Sequence, residues 1–444
     1  MTFFRSLSFK VSADAIVFAV GFANSVLITR ILGPTGRGHY VLLATTINLL
    51  ALFFGEGLRR SNAYLVGKDR SRARRLFPNT IFWGGTVGFL LLGLFLLGQR
   101  WLWFSKLAEV KDLLLVTLLI AVATVLFRGF CAIFLGLERM VEYNLTPVFF
   151  ILLYFCGNLI ALKVLDLGLP GVMSSRFLAV VIVSGLAVFL LWRAIHLPPL
   201  QSEKVSVEAR KGLDTALLHS SLRLGFKGML ISLLLVLLFR VDIYLVNHFL
   251  GPGLTGIYSI SIVFAEMLQK VPNAAGTVLF SKIGSREQKW DDQLTATVCR
   301  FVFLLTLVLA LVLVTCGKWL IPFLFGEHFS GVYLPLVCML PGVIAIASGS
   351  IINTNLWGRG YPLLTVIAPA VALSVNIGLN LLLIPTVGLV GAGLATSVAY
   401  TLWGVLIFSY FVRNSSLSLP ELIWPKASDL LILKGRIEKR CSLR

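Results

Sequence analysis

Seven ionisable residues fall inside long apolar runs of this sequence: Asp14, Arg128, Arg176, Arg240, Asp242, Glu266 and Lys270. A charge in such a run costs ~3 kcal/mol on insertion scales, so it faces the protein interior or a polar cavity. The cations outnumber the acids, and three of them are arginines. A guanidinium offers a planar fork of donors that fits the paired oxygens of a phosphate or carboxylate. Arg128 and Arg176 each either pair with an acid or line the cavity. Glu56 and Arg30 lie nearer the ends of their runs and are weaker candidates.

The spacings separate some of these residues. Asp14 shares a helical face with Gly21 and Ser25, so that small, polar face points into a cavity or a tight helix contact. Arg240 and Asp242 are two apart and point to roughly opposite sides of one helix, with Asn247 on the Arg240 side. Either of the two could touch a ligand. Glu266 and Lys270 have the spacing of an i,i+4 ion pair. An unpaired guanidinium at Arg240 would be costly, so it needs an anionic substrate or a protein acid such as Asp14.

Enzymatic signatures are lacking. The sequence holds no Walker loop, HExxH or GxSxG. Its five histidines, His39, His196, His219, His248 and His328, are scattered without metal spacing. The six cysteines form no CxxC, and all but Cys441 lie in apolar runs. No cofactor, metal or enzymatic activity is expected.

The elements that carry these residues must be membrane helices. The 444 residues are 57% hydrophobic and 13% charged, with a mean hydropathy of +0.91. A soluble domain needs more polar surface than that. Some 20 apolar residues cross a hydrocarbon core, and unpaired amides are not tolerated there. The runs predict twelve spans, at about 11–31, 39–58, 79–98, 112–136, 144–165, 171–195, 224–249, 256–281, 297–317, 333–357, 363–385 and 390–412. Pro335 and Pro341 interrupt the tenth. The first run resembles a retained helix more than a cleaved signal peptide.

The net charge of +19 would suggest nucleic acid in a soluble protein. Here the basic residues lie mainly between spans, so nucleic acid is not an expected partner. With a cytoplasmic N-terminus, 28 Lys and Arg fall in inside segments and 7 in outside ones. That asymmetry predicts cytoplasmic termini and supports an even number of spans. Trp101 and Trp103 then sit in an outside loop, where an interfacial anchor belongs.

An internal repeat organises the spans. Leu32-Gly33-Pro34, Gly38 and Tyr40 recur as Leu250-Gly251-Pro252, Gly256 and Tyr258 at one offset of 218 residues. Gly168-Leu169-Pro170-Gly171 is echoed by Gly388-Leu389-Val390-Gly391. The expected architecture is all-α, with two parallel six-helix bundles and a cavity between them. The bundles are 1–195 and 224–412, with a cytoplasmic linker at 196–223 and a basic cytoplasmic tail at 413–444. Gly33, Pro34, Gly251 and Pro252 make the tight turns that open each half. The same offset places Asn24 opposite Asp242.

Several segments resemble a known family. They are RVDIYLVNHFLGPGLTGIYSISIVFAEMLQKVPNAAGTVLFSKIG (240–284), RILGPTGRGHYVLL (30–43), FRGFCAIFLGLERM (127–140) and GLVGAGLATSVAY (388–400). The sequence is similar to the lipid-linked oligosaccharide flippases of the multidrug/oligosaccharidyl-lipid/polysaccharide exporter (MOP) superfamily, to about residue 412. The resemblance implies a MATE-like fold and outward movement of an undecaprenyl-diphosphate-linked oligosaccharide across the bacterial inner membrane. Alternating access would come from rocking of the halves. Arg240, Arg128 and Arg176 become candidates for the diphosphate, with Asp242, Asp14 and Asn24 as further candidate cavity residues. A polysaccharide polymerase or glycosyltransferases are the protein partners that such a role implies. A cation-coupled multidrug exporter of the same fold is the alternative, although the excess of Arg over Asp in the spans argues against it. A membrane-embedded glycosyltransferase or polymerase fits the short outside loops poorly.

Overall fold

The computed structural model describes residues 3–98, 111–196, 214–283, 292–359, 362–415 and 417–424. Trp101, Trp103, most of the expected linker and the tail beyond 424 lie outside the described residues. Those that are described form helices and short connections, with no strand among them. Eleven α-helices follow in order: α1 (Phe3–Lys68), α2 (Ala73–Gly98), α3 (Lys111–Gly136), α4 (Met140–Leu159), α5 (Gly168–His196), α6 (Thr215–Ile283), α7 (Asp292–Phe325), α8 (Tyr333–Gly358), α9 (Leu364–Val387), α10 (Leu389–Arg413) and the short α11 (Leu419–Ile423). A single π-helical turn, Ile160–Val164, extends α4.

Ten of these helices are long and apolar enough to span a bilayer. Two of the ten are too long for one pass. Straight helices of 66 and 69 residues would each run ~100 Å, about three hydrocarbon thicknesses. Each is broken once. Gly33 has φ 65° and ψ −175°, and Gly251 has φ 79° and ψ 176°. Only glycine takes this conformation cheaply, and the prolines that follow start the next helix with φ already set. The chain folds back at both points. Lys10 and Arg59 line one cavity although a straight helix would separate them by ~70 Å. Arg240 and Glu266, 26 residues apart, form an ion pair. Twelve passes result, two from α1, two from α6 and one from each of the eight helices α2–α5 and α7–α10.

The chain divides into two compact units, Met1–Leu237 and Leu238–Arg444. Each contains the turn of one folded-back long helix and four further spanning helices. The boundary falls within α6. Helix α6 begins at Thr215, and its first turns pack on the rest of the first unit. A Cβ placed on Gly225 would lie 2.1 Å from the Gly57 carbonyl oxygen, so the two backbones touch there. Asn79 donates to the Asp214 carbonyl at 2.9 Å and accepts from its amide at 3.1 Å.

The first unit packs α1 to α5 around clusters that include Leu76, Phe130, Phe134 and Leu191, and Ile47, Ile120 and Met173. In the second unit α8 and α10 lie against each other through small residues. A Cβ on Gly393 would meet the Pro335 carbonyl at 2.6 Å, and one on Gly342 would meet the Ser397 backbone at 2.6 Å. Such close approach supplies dispersion contact where lipid gives helices no hydrophobic reason to associate. Pro335 and Pro341 do not interrupt α8. Pro335 falls in its first turn, where the missing N–H is not needed, and Pro341 is carried inside the helix. Many large apolar side chains face outward, Phe89 being 82% exposed, as lipid-facing surface requires.

Candidate functional site

The first unit holds a cavity of about 380 Å³ at the end of the α1 hairpin remote from Gly33. Its walls come from both arms of α1 and from α3 and α4. Lys10 and Asp14 lie on the first arm, Glu56 and Arg59 on the second, Phe127 and Arg128 on α3, and Tyr143 and Asn144 on α4.

Glu56 organises the cations. Arg59 grips it with two bonds, Nε to Oε2 at 2.7 Å and Nη2 to Oε1 at 2.6 Å. Arg60 adds Nε to Oε1 at 2.8 Å, and its Nη2 donates to Ser232 Oγ at 2.7 Å. One buried carboxylate thus serves two guanidinium groups and leaves one positive charge in excess. The helix makes this possible, because Arg59 and Arg60 sit three and four residues beyond Glu56, on its own face.

Arg128 adds to that excess. Its Nη2 makes a long bond to Asn48 Oδ1 at 3.4 Å, and it forms no ion pair among the described residues. Glu56 attracts it across the cavity, while Arg59 and Arg176 are both close enough to repel it. Arg176, half-buried on α5, likewise has no ion pair among the described residues. Asp14 reaches Lys10 at 3.0 Å, an exposed pair at the rim, and the Lys10 ammonium stands 6.0 Å from the centre of the Tyr143 ring. The cavity therefore joins uncompensated guanidinium groups, a rim lysine, a phenol and an amide.

The other sequence candidates lie elsewhere. Asn24 is buried in the first unit and accepts a 2.8 Å bond from Asn158. Asp242 is fully buried in the second unit. It accepts from Tyr258 at 2.6 Å, Thr396 at 3.3 Å and the Ile243 amide at 2.9 Å. Arg240 is ion-paired with Glu266 across the α6 hairpin, where the sequence suggested Asp14 as its acid. The structure places Asp14, Arg128 and, beside them, Arg176 at one site, and Arg240 and Asp242 in the other unit. Sequence reasoning passed over Lys10, Arg59 and Arg60, and treated Glu56 as a span-end residue. The Glu-x-x-Arg-Arg spacing was the signal that could have found them. Among the described residues no group of three His, Cys, Asp or Glu side chains could hold a metal ion.

Among the described residues, two folded-back hairpins and twelve helical passes, with a cationic pocket in the first unit, define a multi-pass, helical membrane protein. The model for polysaccharide biosynthesis proteins matches residues 4–282, over half of the sequence, and the chain belongs to that family. Among solved structures it is similar to the lipid II flippase MurJ in an inward closed conformation, at 16% identity and TM-score 0.73, covering 93% of this chain and 88% of that one. It is also similar to an inward-facing multidrug resistance MATE transporter, at 15% identity and TM-score 0.71, covering 92% and 98%. A MOP superfamily transporter from Pyrococcus furiosus aligns at 16% identity and TM-score 0.62, covering 92% and 93%. These identities establish a shared fold. No functionally curated protein matches the sequence.

Proposed function

We propose that this protein is a flippase that moves an undecaprenyl-diphosphate-linked oligosaccharide across the bacterial inner membrane by alternating access, for synthesis of a cell-surface polysaccharide. The observation that carries this reading is the charge arithmetic of the first-unit cavity. Glu56 is shared by Arg59 and Arg60, and Arg128 stands beside them with no acid of its own. Surplus guanidinium charge in an apolar surround is expensive unless an anion arrives to meet it. A diphosphate supplies that anion in the geometry that guanidinium forks bind. Arg128 and Arg59 hold the diphosphate, Arg176 adds field, and Tyr143 and Asn144 face the first sugar. Arg240 keeps its charge compensated by Glu266 and acts on the second unit.

The positive charge between the spans supports cytoplasmic termini, and with them a cavity that loads from the cytoplasm. The experiment is uptake of a fluorescent polyprenyl-diphosphate oligosaccharide by proteoliposomes containing the purified protein. Movement of that lipid, with no movement of a cationic dye, is the expected result. Dye efflux driven by a cation gradient, without lipid movement, would establish the multidrug alternative. Orientation is checked by a cysteine placed at Ser206, which should resist a membrane-impermeant thiol reagent applied to intact cells.

A further inference from the structure

We propose that the second unit binds one anionic phospholipid, with an acyl chain in an apolar groove between α8 and α10 and the headgroup on Arg413. This site does not depend on the proposed transport reaction. The groove has a volume of about 540 Å³, within the range of small-ligand sites. Its walls come mainly from two helix faces, with Pro341 and Ile344 on α8 and Phe408 and Val412 on α10, and are completed by Phe303 of α7 and Ile423 of α11. Gly404 lets α10 close tightly on α8, since a Cβ there would lie 3.1 Å from the Ala345 carbonyl oxygen, and it fixes the floor of the groove.

The groove has few free polar atoms. Ser348 Oγ donates to the Ile344 carbonyl at 3.0 Å, and Thr401 Oγ1 to the Ser397 carbonyl at 2.8 Å. Both hydroxyls are satisfied within their own helices, so the lining accepts hydrocarbon at no hydrogen-bonding cost. Thr401, Val405 and Ser409 along its edge are exposed, so the groove opens sideways to lipid.

Length and charge identify the occupant. From Thr401 to Arg413 the α10 face runs ~18 Å, close to one leaflet of a ~30 Å hydrocarbon core. That depth matches an acyl chain of the leaflet on the Arg413 side and is short for a long polyprenyl chain. Arg413 ends α10, is exposed, and has no carboxylate partner among the described residues. An unpaired arginine at the mouth of an apolar slot complements a lipid phosphate. The mouth is also fixed in place. Helix α11 buries Leu422 completely, and Arg300 Nη1 donates to the Glu421 carbonyl, so α11 caps the groove as a wall. Trp424, 69% exposed, stands just beyond at the depth where an indole favours the interface.

The test is native mass spectrometry of the full-length protein released from nanodiscs containing equal phosphatidylglycerol and phosphatidylcholine. The expected result is one retained phosphatidylglycerol per chain, preferred about tenfold over phosphatidylcholine. Arg413→Gln should abolish the preference and Arg413→Lys should keep most of it. Ser409→Trp, which fills the exposed edge, should reduce retention of both lipids. Equal retention of the two lipids by the wild type would overturn the proposal, as would an undiminished preference in a monodisperse Arg413→Gln protein. Stoichiometric displacement of phosphatidylglycerol by polyprenyl phosphate would also overturn it, because the groove would then belong to the substrate.

Discussion

The two units share their architecture but treat charge in opposite ways. Each opens with a long helix folded back at a glycine of positive φ. In the second unit the polar groups near that hairpin are matched inside the unit: Arg240 with Glu266, and Asp242 with Tyr258 and Thr396. Its groove is apolar. In the first unit the corresponding hairpin ends in a cavity where guanidinium groups outnumber the one buried carboxylate that serves them. Asn24, the counterpart of Asp242, is uncharged. The two units thus repeat their turns, while the second pairs its polar groups internally and the first gathers more guanidinium groups than its buried carboxylate can serve. The shared fold sets where helices lie, and a handful of substituted polar residues sets what each half can bind.

That contrast can be broken by substitutions of graded size. The largest stability effect belongs to Glu56→Gln, which strips the shared carboxylate from Arg59 and Arg60. A loss of about 3 kcal/mol is expected, read as a fall in folded yield and in melting temperature in detergent. Wild-type stability in that variant would mean that the cations are not held by Glu56. Next comes Asp242→Ala, which leaves the Tyr258 and Thr396 hydroxyls buried without their acceptor. It should cost about 2 kcal/mol, and Asp242→Asn less, because one acceptor oxygen remains. Equal melting temperatures for the two would count against the hydrogen-bonded account of Asp242. Arg240→Ala breaks a half-exposed pair and should cost about 1 kcal/mol while leaving much of the export. Complete loss of export from a stable Arg240→Ala protein would transfer the anion site to the second unit. The smallest effect is that of Asp14→Asn at the exposed rim, below about 0.5 kcal/mol. Since that change removes an acid from a cationic cavity, export should be maintained, and its collapse would show that Asp14 has a role of its own.

The features legible in the sequence were those written in scarce residues at fixed offsets. Gly-Pro at 33–34 and 251–252, with the shared tyrosines, marked the two hairpins, because only glycine suits the turn and the proline after it starts the next helix. Apolar length revealed the passes. The cavity was less legible. Arg59, Arg60 and Lys10 look like ordinary flanking charges of membrane spans, and nothing in the one-dimensional pattern separates a flanking charge from one that faces a pocket. The Arg240–Glu266 pair was hidden for a different reason. Helical spacing relates neighbours on one helix, whereas this pair meets across a turn. Reflection about Gly251 comes only within one helical turn of it, since the two residues lie 11 and 15 positions from that glycine. The start of α6 at Thr215 was obscured by the polar residues around it, which pack on the first unit instead of forming a loop. Arg128 and Arg176 were visible as intramembrane cations, but their lack of acid partners depends on packing.

The central claim is that uncompensated guanidinium charge on the first unit receives the diphosphate, and Arg128 tests it most directly. The measurement is glycan-lipid transport by purified Arg128→Ala and Arg128→Lys variants in proteoliposomes, normalised to folded protein. The account predicts that Ala lowers transport about a hundredfold or more with the melting temperature preserved, and that Lys restores a substantial part by keeping the charge without the fork. Transport by a stable Arg128→Ala protein at the wild-type rate would contradict it.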